Sequence, residues 1–178
     1  MDKREIADEM IKRNNGAVPI FLDLDRTRIE FNMCDINGLL ICGKDSSEKI
    51  NDLKKQLSGE WIQSLNSIDD LDDLYNEFCE KYKKNGYEQK LFVVIEKLDE
   101  FALYDDAHKE KLIEMLRKGY SINMFFICGT NGRSIEAPID VNFLIKIDDF
   151  YSHDDRCCST PEQFFNCIGN IQSLKIKK

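Results

Sequence analysis

The residues best suited to chemistry lie in segment 43–50, directly after a short apolar run. Gly43 and Lys49 have the spacing of the first glycine and the lysine in the phosphate-binding motif G-x-x-x-x-G-K-[ST]. In that motif successive backbone N–H groups turn onto phosphate oxygens, and the final hydroxyl holds Mg²⁺. Here Glu48 replaces the second glycine, and Ile50 replaces the serine or threonine.

Both replacements oppose the binding of a nucleotide. Glu48 brings a negative charge to the position of closest approach, and like charges about 4 Å apart repel by roughly 1–4 kcal/mol. Ile50 has no hydroxyl for magnesium, so charge that develops on the β- and γ-phosphates would be poorly neutralised. We therefore interpret Gly43, Glu48, Lys49 and Ile50 as a degenerate Walker A segment that does not support hydrolysis.

A second charged segment follows another apolar run. Residues 91–95 (LFVVI) precede Glu96 and Lys97, where a Walker B segment carries two acids. Glu96 can mimic the metal-binding acid, but the Lys97 ammonium group cannot act as a base at pH 7. We hypothesise that Lys97 or Lys49 pairs with Glu48 or Glu96 in the vacated site, and the alternative is that these charges face solvent. We predict no catalytic residue here.

Short apolar runs alternate with amphipathic helices, and this alternation decides where the charged segments lie. The predicted strands cover residues 18–22, 29–33 (a hairpin with the first, turning at 23–27), 38–42, 61–65, 91–95, 122–128 and 141–147. The predicted helices cover residues 3–13, 69–84 and 105–118 (closed by Gly119), with one more carrying Ile50, Leu53 and Leu57 and a last one starting at Pro161 behind a Thr160–Gln163 capping box. This order predicts a three-layer α/β domain with a mainly parallel central sheet. Ligands of such folds bind at the carboxyl ends of the strands, where both charged segments lie.

Length and charge limit the classes of partner. The 178 residues fit one domain, spanning 1–178 without an internal linker, and the net charge of −8 argues against stand-alone binding of nucleic acid. The basic cluster at 175–178 is interpreted as a solvated tail. No apolar run approaches the length of a membrane span, and the charged N-terminus lacks the apolar stretch of a signal peptide.

Residue types that often bind metals occur in this chain without the pattern of a metal site. Four aspartates between 69 and 73 crowd the first turn of a helix, where the helix dipole favours negative charge. Residues 153–155 (HDD) with Cys157 and Cys158 mix hard and soft ligands without the spacing of a tetrahedral site. His108 is predicted to face solvent on a helix. Seven cysteines without a C-x-x-C pair suit a reducing compartment, and we predict no metal site.

The order of these segments resembles that of a known family. The run VPIFLDLDRTRIEFNMCDINGLLICGKDSSEK resembles the opening strands and phosphate loop of FtsK/SpoIIIE-type ATPase domains, and LFVVIEKLDEF resembles their Walker B segment. The stretch RKGYSINMFFICGTNGRS resembles the approach to their next core strand, so the similarity runs over roughly residues 18–147. Among these domains, the chain is most similar to the degenerate C-terminal (third) ATPase domain of the EssC/YukB coupling ATPases of type VII secretion in Firmicutes.

The resemblance implies a RecA-like P-loop NTPase fold in a piece of a longer, membrane-anchored protein, on the cytoplasmic side of the membrane. It implies two kinds of partner, which are neighbouring ATPase domains of the same chain and small secreted WXG-motif proteins. It implies no membrane contact by this segment itself. The departures at Glu48, Ile50 and Lys97 indicate a domain without a bound cofactor, binding ATP weakly or not at all, that contributes to substrate recognition and export.

Two other functions remain open. Lys49 and Glu96 are retained, so an active ATPase motor domain is one alternative. The other is a phosphatase of the haloacid dehalogenase type, because Asp23, Asp25 and Thr27 fit D-x-D-x-T after an apolar strand, with Asp23 as nucleophile and Asp25 as acid/base. A second strand that follows almost at once, as in a hairpin, disfavours the phosphatase.

Overall fold

Parallel strands with helices on both faces form the centre of the fold. The computed structural model describes residues 18–24, 26–103, 105–132, 144–148, 157–158, 160–168 and 175–177, so the predicted helix at 3–13 lies outside the described residues. The strands are β1 (Pro19–Leu24), β2 (Thr27–Asn32), β3 (Gly38–Cys42), β4 (Trp61–Ser64), β5 (Leu91–Ile95), β6 (Met124–Thr130), β7 (Ile145–Asp148), β8 (Cys157–Cys158) and β9 (Lys175–Lys177). The α-helices are α1 (Ser46–Gln56), α2 (Ile68–Lys83), α3 (Asp106–Lys118) and α4 (Pro161–Ile168).

The central sheet has the strand order β4-β5-β6-β3-β7-β8, and every neighbouring pair is parallel. The predicted three-layer α/β architecture is therefore confirmed. All five residues of β3 and of β5 are buried, because both faces of the sheet are covered. Since β6 lies between β3 and β5, the segments that follow those two strands flank the end of β6.

A smaller antiparallel sheet has the order β1-β2-β9. The predicted hairpin is confirmed, but its turn is narrower than 23–27, because Leu24 already pairs with Thr27. For Lys175–Lys177 the prediction of a solvated tail is wrong, since these residues form β9, in which Ile176 lies opposite Ile29. Residue 178 lies outside the described residues. A single isoleucine between lysines carries no strand signal of its own, and β9 forms because it satisfies backbone groups at the edge of β2.

The start of β6 also differs from the prediction of 122–128. Ile122 ends a 3₁₀ turn that begins at Gly119. Asn123 has a φ of 67°, a positive value that residues of a β-strand do not adopt. Gly119 does follow the last residue of α3, but its backbone is right-handed (φ −58°). Close packing explains this glycine better than left-handed capping does, because a Cβ there would lie 3.1 Å from the carbonyl oxygen of Met124.

Different layers cover the two faces of the central sheet. The core on one face includes residues of α1, the β1–β2 hairpin and α4, and the core on the other includes residues of α2 and α3. Phe164 of α4 packs edge-to-face on Phe31 of β2, with ring centroids 4.9 Å apart. The predicted capping box of α4 is present, since the backbone N–H of Thr160 and that of Gln163 each donate to the other residue's side-chain oxygen at 3.3 Å.

Polar contacts join α2 to α3. Nζ of Lys111 lies 3.0 Å from Oδ1 of Asp72, and Nε2 of His108 lies 3.3 Å from the same carboxylate. The other ring nitrogen of His108 lies 2.6 Å from Asp105, the N-cap of α3. The prediction that His108 faces solvent is therefore wrong, and its side chain is only 19% exposed because it bridges the two helices.

Candidate functional site

The predicted Walker A segment forms the bend between β3 and α1, in the strand–loop–helix context that a phosphate loop requires. The loop itself contains only residues 43–45, because α1 already begins at Ser46. Gly43 has a φ of 115°, a conformation that favours glycine. Glu48 therefore lies in the first turn of the helix and not in an open loop.

Several N–H groups of this bend are bonded to the protein's own backbone. The N–H of Gly43 donates to the carbonyl of Thr130 at 3.0 Å, and that of Ser46 donates to Gly43 at 3.2 Å. The N–H of Lys49 donates to the carbonyl of Asp45 at 3.1 Å, as in a regular helix. A phosphate loop needs successive N–H groups that point at ligand oxygens. These three groups cannot do so without breaking existing bonds.

Ile50 lies in the core at the position where the motif has a serine or threonine. Its side chain is completely buried, at 0% exposure. A Cβ on residue 129 would lie 2.5 Å from Cδ1 of Ile50 and 2.6 Å from the carbonyl oxygen of Glu96. Gly129 is thus the point where α1, β6 and the end of β5 meet. An aliphatic side chain occupies this meeting point and offers no ligand to magnesium.

The structure brings Glu96 next to α1. Oε1 of Glu96 lies 3.6 Å from Nζ of Lys54, whereas Nζ of Lys97 lies 3.4 Å from Oε1 of Glu100. Neither of these is a pair that we hypothesise for Glu96 or Lys97. Both ion pairs are substantially exposed to solvent, so they contribute little to stability.

A groove of about 310 Å³ lies beside the first turns of α1, against β1. The charged residues among those described in its lining are four carboxylates and one ammonium group: Asp23, Asp45, Glu48, Asp52 and Lys49. The remaining lining is apolar and comes from Phe21, Leu22 and Leu53. The excess of negative charge repels a triphosphate and attracts cations. The electrostatics of the groove therefore favour a cationic ligand over a nucleotide.

Sequence reasoning missed part of this arrangement. Asp45 and Asp52 line the groove together with Glu48 and Lys49, and the positions 45, 48, 49 and 52 recur at the three-to-four-residue spacing of one helix face. That spacing is a signal that could have found them. Gly129 carries only the weaker signal of a glycine within a strand, which is typical of a close backbone approach.

Asp23, the nucleophile of the phosphatase alternative, lies in the antiparallel hairpin. Nε of Arg28 donates to Oδ1 of Asp23 at 3.0 Å, and this hydrogen bond raises the pKa of Arg28. Asp25 lies outside the described residues. Asp23 does not follow a strand of the parallel sheet, and its carboxylate already accepts a hydrogen bond from Arg28. Both observations disfavour Asp23 as the nucleophile of a phosphatase.

The described part of the chain offers neither a metal site nor a membrane span. Within it, no group of three or more His, Cys, Asp or Glu side chains could hold a metal ion. Residues 153–155 lie outside the described ranges. No helix among the described residues is long and apolar enough to cross a membrane.

Solved structures of secretion ATPases resemble this chain. It is similar to the cytoplasmic domain of the Thermomonospora curvata type VII secretion ATPase EccC, with a TM-score of 0.53 and 11% identity over 70% of this chain and 20% of that one. It is also similar to the cytoplasmic domain of EssC, with a TM-score of 0.51 and 17% identity over 86% of this chain and 39% of that one. No model of a known protein family matches the chain, and no curated protein does.

At these identities, the property that the proteins share is the fold. Together with the strand order and the bend after β3, the likeness defines a RecA-like P-loop NTPase fold. The chain corresponds to between 20% and 39% of the length of these secretion ATPase structures.

Proposed function

We propose that this chain is a non-catalytic ATPase-fold domain of a type VII secretion coupling protein and that it contributes to substrate recognition and export. The observation that carries this proposal is the complete burial of Ile50 beside Gly129, which the backbone of Glu96 also approaches closely. An apolar side chain fills the space in which magnesium and the terminal phosphates would need polar ligands.

Charge supports the same function. The groove beside α1 has four carboxylates and one lysine among its described lining residues, which opposes the binding of a polyphosphate. A domain that keeps the fold and loses the nucleotide retains its surfaces for protein contacts. We therefore assign the domain a role in docking other proteins.

The setting that we propose follows the secretion ATPases with the same fold. The chain acts on the cytoplasmic side of the membrane, as the third, C-terminal ATPase domain of a membrane-anchored protein. Its partners are the neighbouring ATPase domains of the same chain and small secreted proteins of the WXG type. Any ATP hydrolysis that drives export takes place in those neighbouring domains.

Calorimetric titration of the purified chain tests this proposal. We expect no heat with Mg-ATP and measurable heat with a WXG-type secreted protein. A cytoplasmic helical protein of the same size and net charge serves as the control and gives no heat. Heat with Mg-ATP, together with none from the secreted protein, would overturn the docking role.

An active ATPase motor is the second candidate, because Lys49 and Glu96 are retained. Turnover of ATP that is lost in Lys49→Ala would support the motor, whereas turnover that persists in this variant would come from a contaminant. We expect no turnover from either protein. The phosphatase alternative predicts phosphate-ester hydrolysis that Asp23→Asn abolishes, and we expect none.

A further inference from the structure

The outer edge of β4 leaves backbone groups unpaired by any described strand. β4 is the terminal strand of the central sheet and pairs only with β5 among the described strands. The N–H of Leu65 donates to the carbonyl of Val94 at 2.9 Å, so residues 63 and 65 direct their backbone groups toward β5. By alternation, Ile62 and Ser64 direct their N–H and C=O groups outward. Such a row is a template for an added strand.

A recess of about 210 Å³ opens at the start of this edge. It is lined by Trp61, Glu77, Lys81, Tyr87, Glu88 and Gln89. Trp61, the first residue of β4, is 40% exposed and meets the ring of Tyr87 edge-on at 5.7 Å. A half-exposed tryptophan beside a recess is typical of protein contact sites, because its large rigid ring buries apolar area at little entropic cost.

Tyr87 is the buried part of this recess. It is 1% exposed, so its hydroxyl is not accessible to a bound ligand. Burial first, and then the charge of the Glu77 carboxylate and a hydrogen bond to it, raise the pKa of Tyr87. The groups that a ligand can contact in this recess are therefore the Trp61 ring and the charged side chains.

Charge selects the side chain that enters the recess. Two carboxylates (Glu77, Glu88) outnumber the one ammonium group (Lys81) among the described lining residues. Lys81 already lies over the ring of Tyr87, with Nζ 5.6 Å from the ring centroid. Trp61 is 40% exposed, and an aromatic ring of this kind attracts a cation. A lysine or arginine of the ligand fits this combination.

We infer that the β4 edge and the Trp61 recess bind an extended segment of a partner protein as an added strand, with a basic side chain of that segment in the recess. Ile62 and Ser64 supply the backbone hydrogen bonds, and the recess supplies the selectivity. The inference rests on the proposed function, because it names the surface on which docking takes place. This surface does not include the degenerate Walker A segment.

Fluorescence anisotropy with a labelled peptide of alternating valine and lysine tests the inference. We expect saturable binding that Ser64→Pro weakens by at least about tenfold, because proline removes an outward N–H and is tolerated on an edge strand. Trp61→Ala, which leaves the backbone unchanged, weakens binding to a similar degree. The control Tyr120→Ala, at a tyrosine that is 46% exposed and outside the recess, binds like the native chain. Glutamate in place of lysine in the peptide also weakens binding by about tenfold or more.

No binding of the valine–lysine peptide, or equal affinity for the native chain and Trp61→Ala, would overturn the inference. The same variants are titrated with the WXG-type secreted protein. If that protein binds and neither substitution changes its affinity, the docking role stands and this surface does not carry it. If the peptide binds in a Trp61-dependent manner and the secreted protein does not bind, this surface stands and the proposed partner is wrong.

Discussion

The two faces of the central sheet arrange their charges in opposite ways. Between α2 and α3, Asp72 contacts Lys111 and His108, so opposite charges meet across the helices. Beside α1, four carboxylates and one lysine line a single groove. Paired charges add to the stability of the fold, whereas like charges gathered around a groove oppose it. Departures of the second kind are expected at functional sites, so the groove beside α1 is a candidate ligand site, which the paired contact between α2 and α3 is not.

Close packing of α1 on β6 predicts the largest loss of stability, in a variant at Gly129. In Gly129→Ala the new Cβ would lie 2.5 Å from Ile50 and 2.6 Å from a backbone oxygen, so α1 or β5 must shift. We expect the free energy of unfolding in urea to fall by about 2–3 kcal/mol. The control is Gly59→Ala, whose Cβ meets nothing within 4 Å and should change stability by less than about 0.5 kcal/mol. Equal stabilities of the two variants would contradict the close approach.

Introducing the hydroxyl of the phosphate-binding motif should not create a nucleotide site. In Ile50→Thr the hydroxyl enters a fully buried position, so we expect a loss of about 1–3 kcal/mol in unfolding free energy. The control Ile50→Val has nearly the same shape and should lose only about 0.5–1.5 kcal/mol. Neither variant should give heat with Mg-ATP, because the bend keeps its backbone hydrogen bonds. Tight binding of Mg-ATP by Ile50→Thr would show that the loop is still competent.

A hydrogen bond between α2 and α3, on the face of the central sheet opposite α1, predicts a smaller loss of stability. The hydroxyl of Tyr75 donates to Oε2 of Glu114 at 2.7 Å, which lowers the pKa of Glu114. We expect Tyr75→Phe to lower the free energy of unfolding by about 1 kcal/mol. Tyr82→Phe, at a tyrosine that is 47% exposed, is the control and should be close to neutral. A neutral Tyr75→Phe would mean that this face does not depend on its polar contacts.

The contacts of His108 predict the smallest effect, and it depends on pH. Hydrogen bonds to Asp105 and then Asp72 raise the pKa of His108 above 6.5, so its contribution is fully present below pH 6.5 and is lost as the pH rises through the folded-state pKa. The carboxyl groups of Asp72 and Asp105 have pKa values lowered from 3.8. Their contribution to stability is therefore present above pH 3.8 and is lost only as the pH falls below that value.

The measurement for His108 is the urea midpoint of the native chain minus that of His108→Gln. We expect this difference to be largest near about pH 5.5 and smaller near about pH 9. Lys111 also contacts Asp72, so part of the link between the helices remains at high pH. A difference that does not vary with pH would show that the imidazole contributes no charge to this contact.

Two strands that are buried on both faces, β3 and β5, were predicted with the correct bounds. Gly38–Cys42 and Leu91–Ile95 are continuous apolar runs because helices or strands cover each face of the sheet. The start of β6 was not predictable in this way. Asn123 holds its positive φ within a tertiary contact, since its side-chain amide donates to the carbonyl of Tyr87 at 3.2 Å and its own carbonyl accepts from Leu91.

Part of the candidate site was likewise predictable. The position of Gly43 in a bend between a strand and a helix follows from local pattern, and the structure has it there. That α1 begins as early as Ser46 was not predictable, because the start of a helix depends on which N–H groups find other partners. The pairing of Glu96 with Lys54 joins residues far apart in the chain and has no local signal.

Residue identity and local periodicity alone determined the alternation of strands and helices. They also determined that segment 43–50 has Glu48 and Ile50 where a phosphate-binding motif has a glycine and a hydroxyl. Only the tertiary structure decided that Ile50 fills the space over Gly129, that carboxylates from β1 and α1 share one groove, and that β9 completes a second sheet. Such contacts join distant parts of the chain, so they depend on how the whole sheet packs and not on any short stretch of sequence.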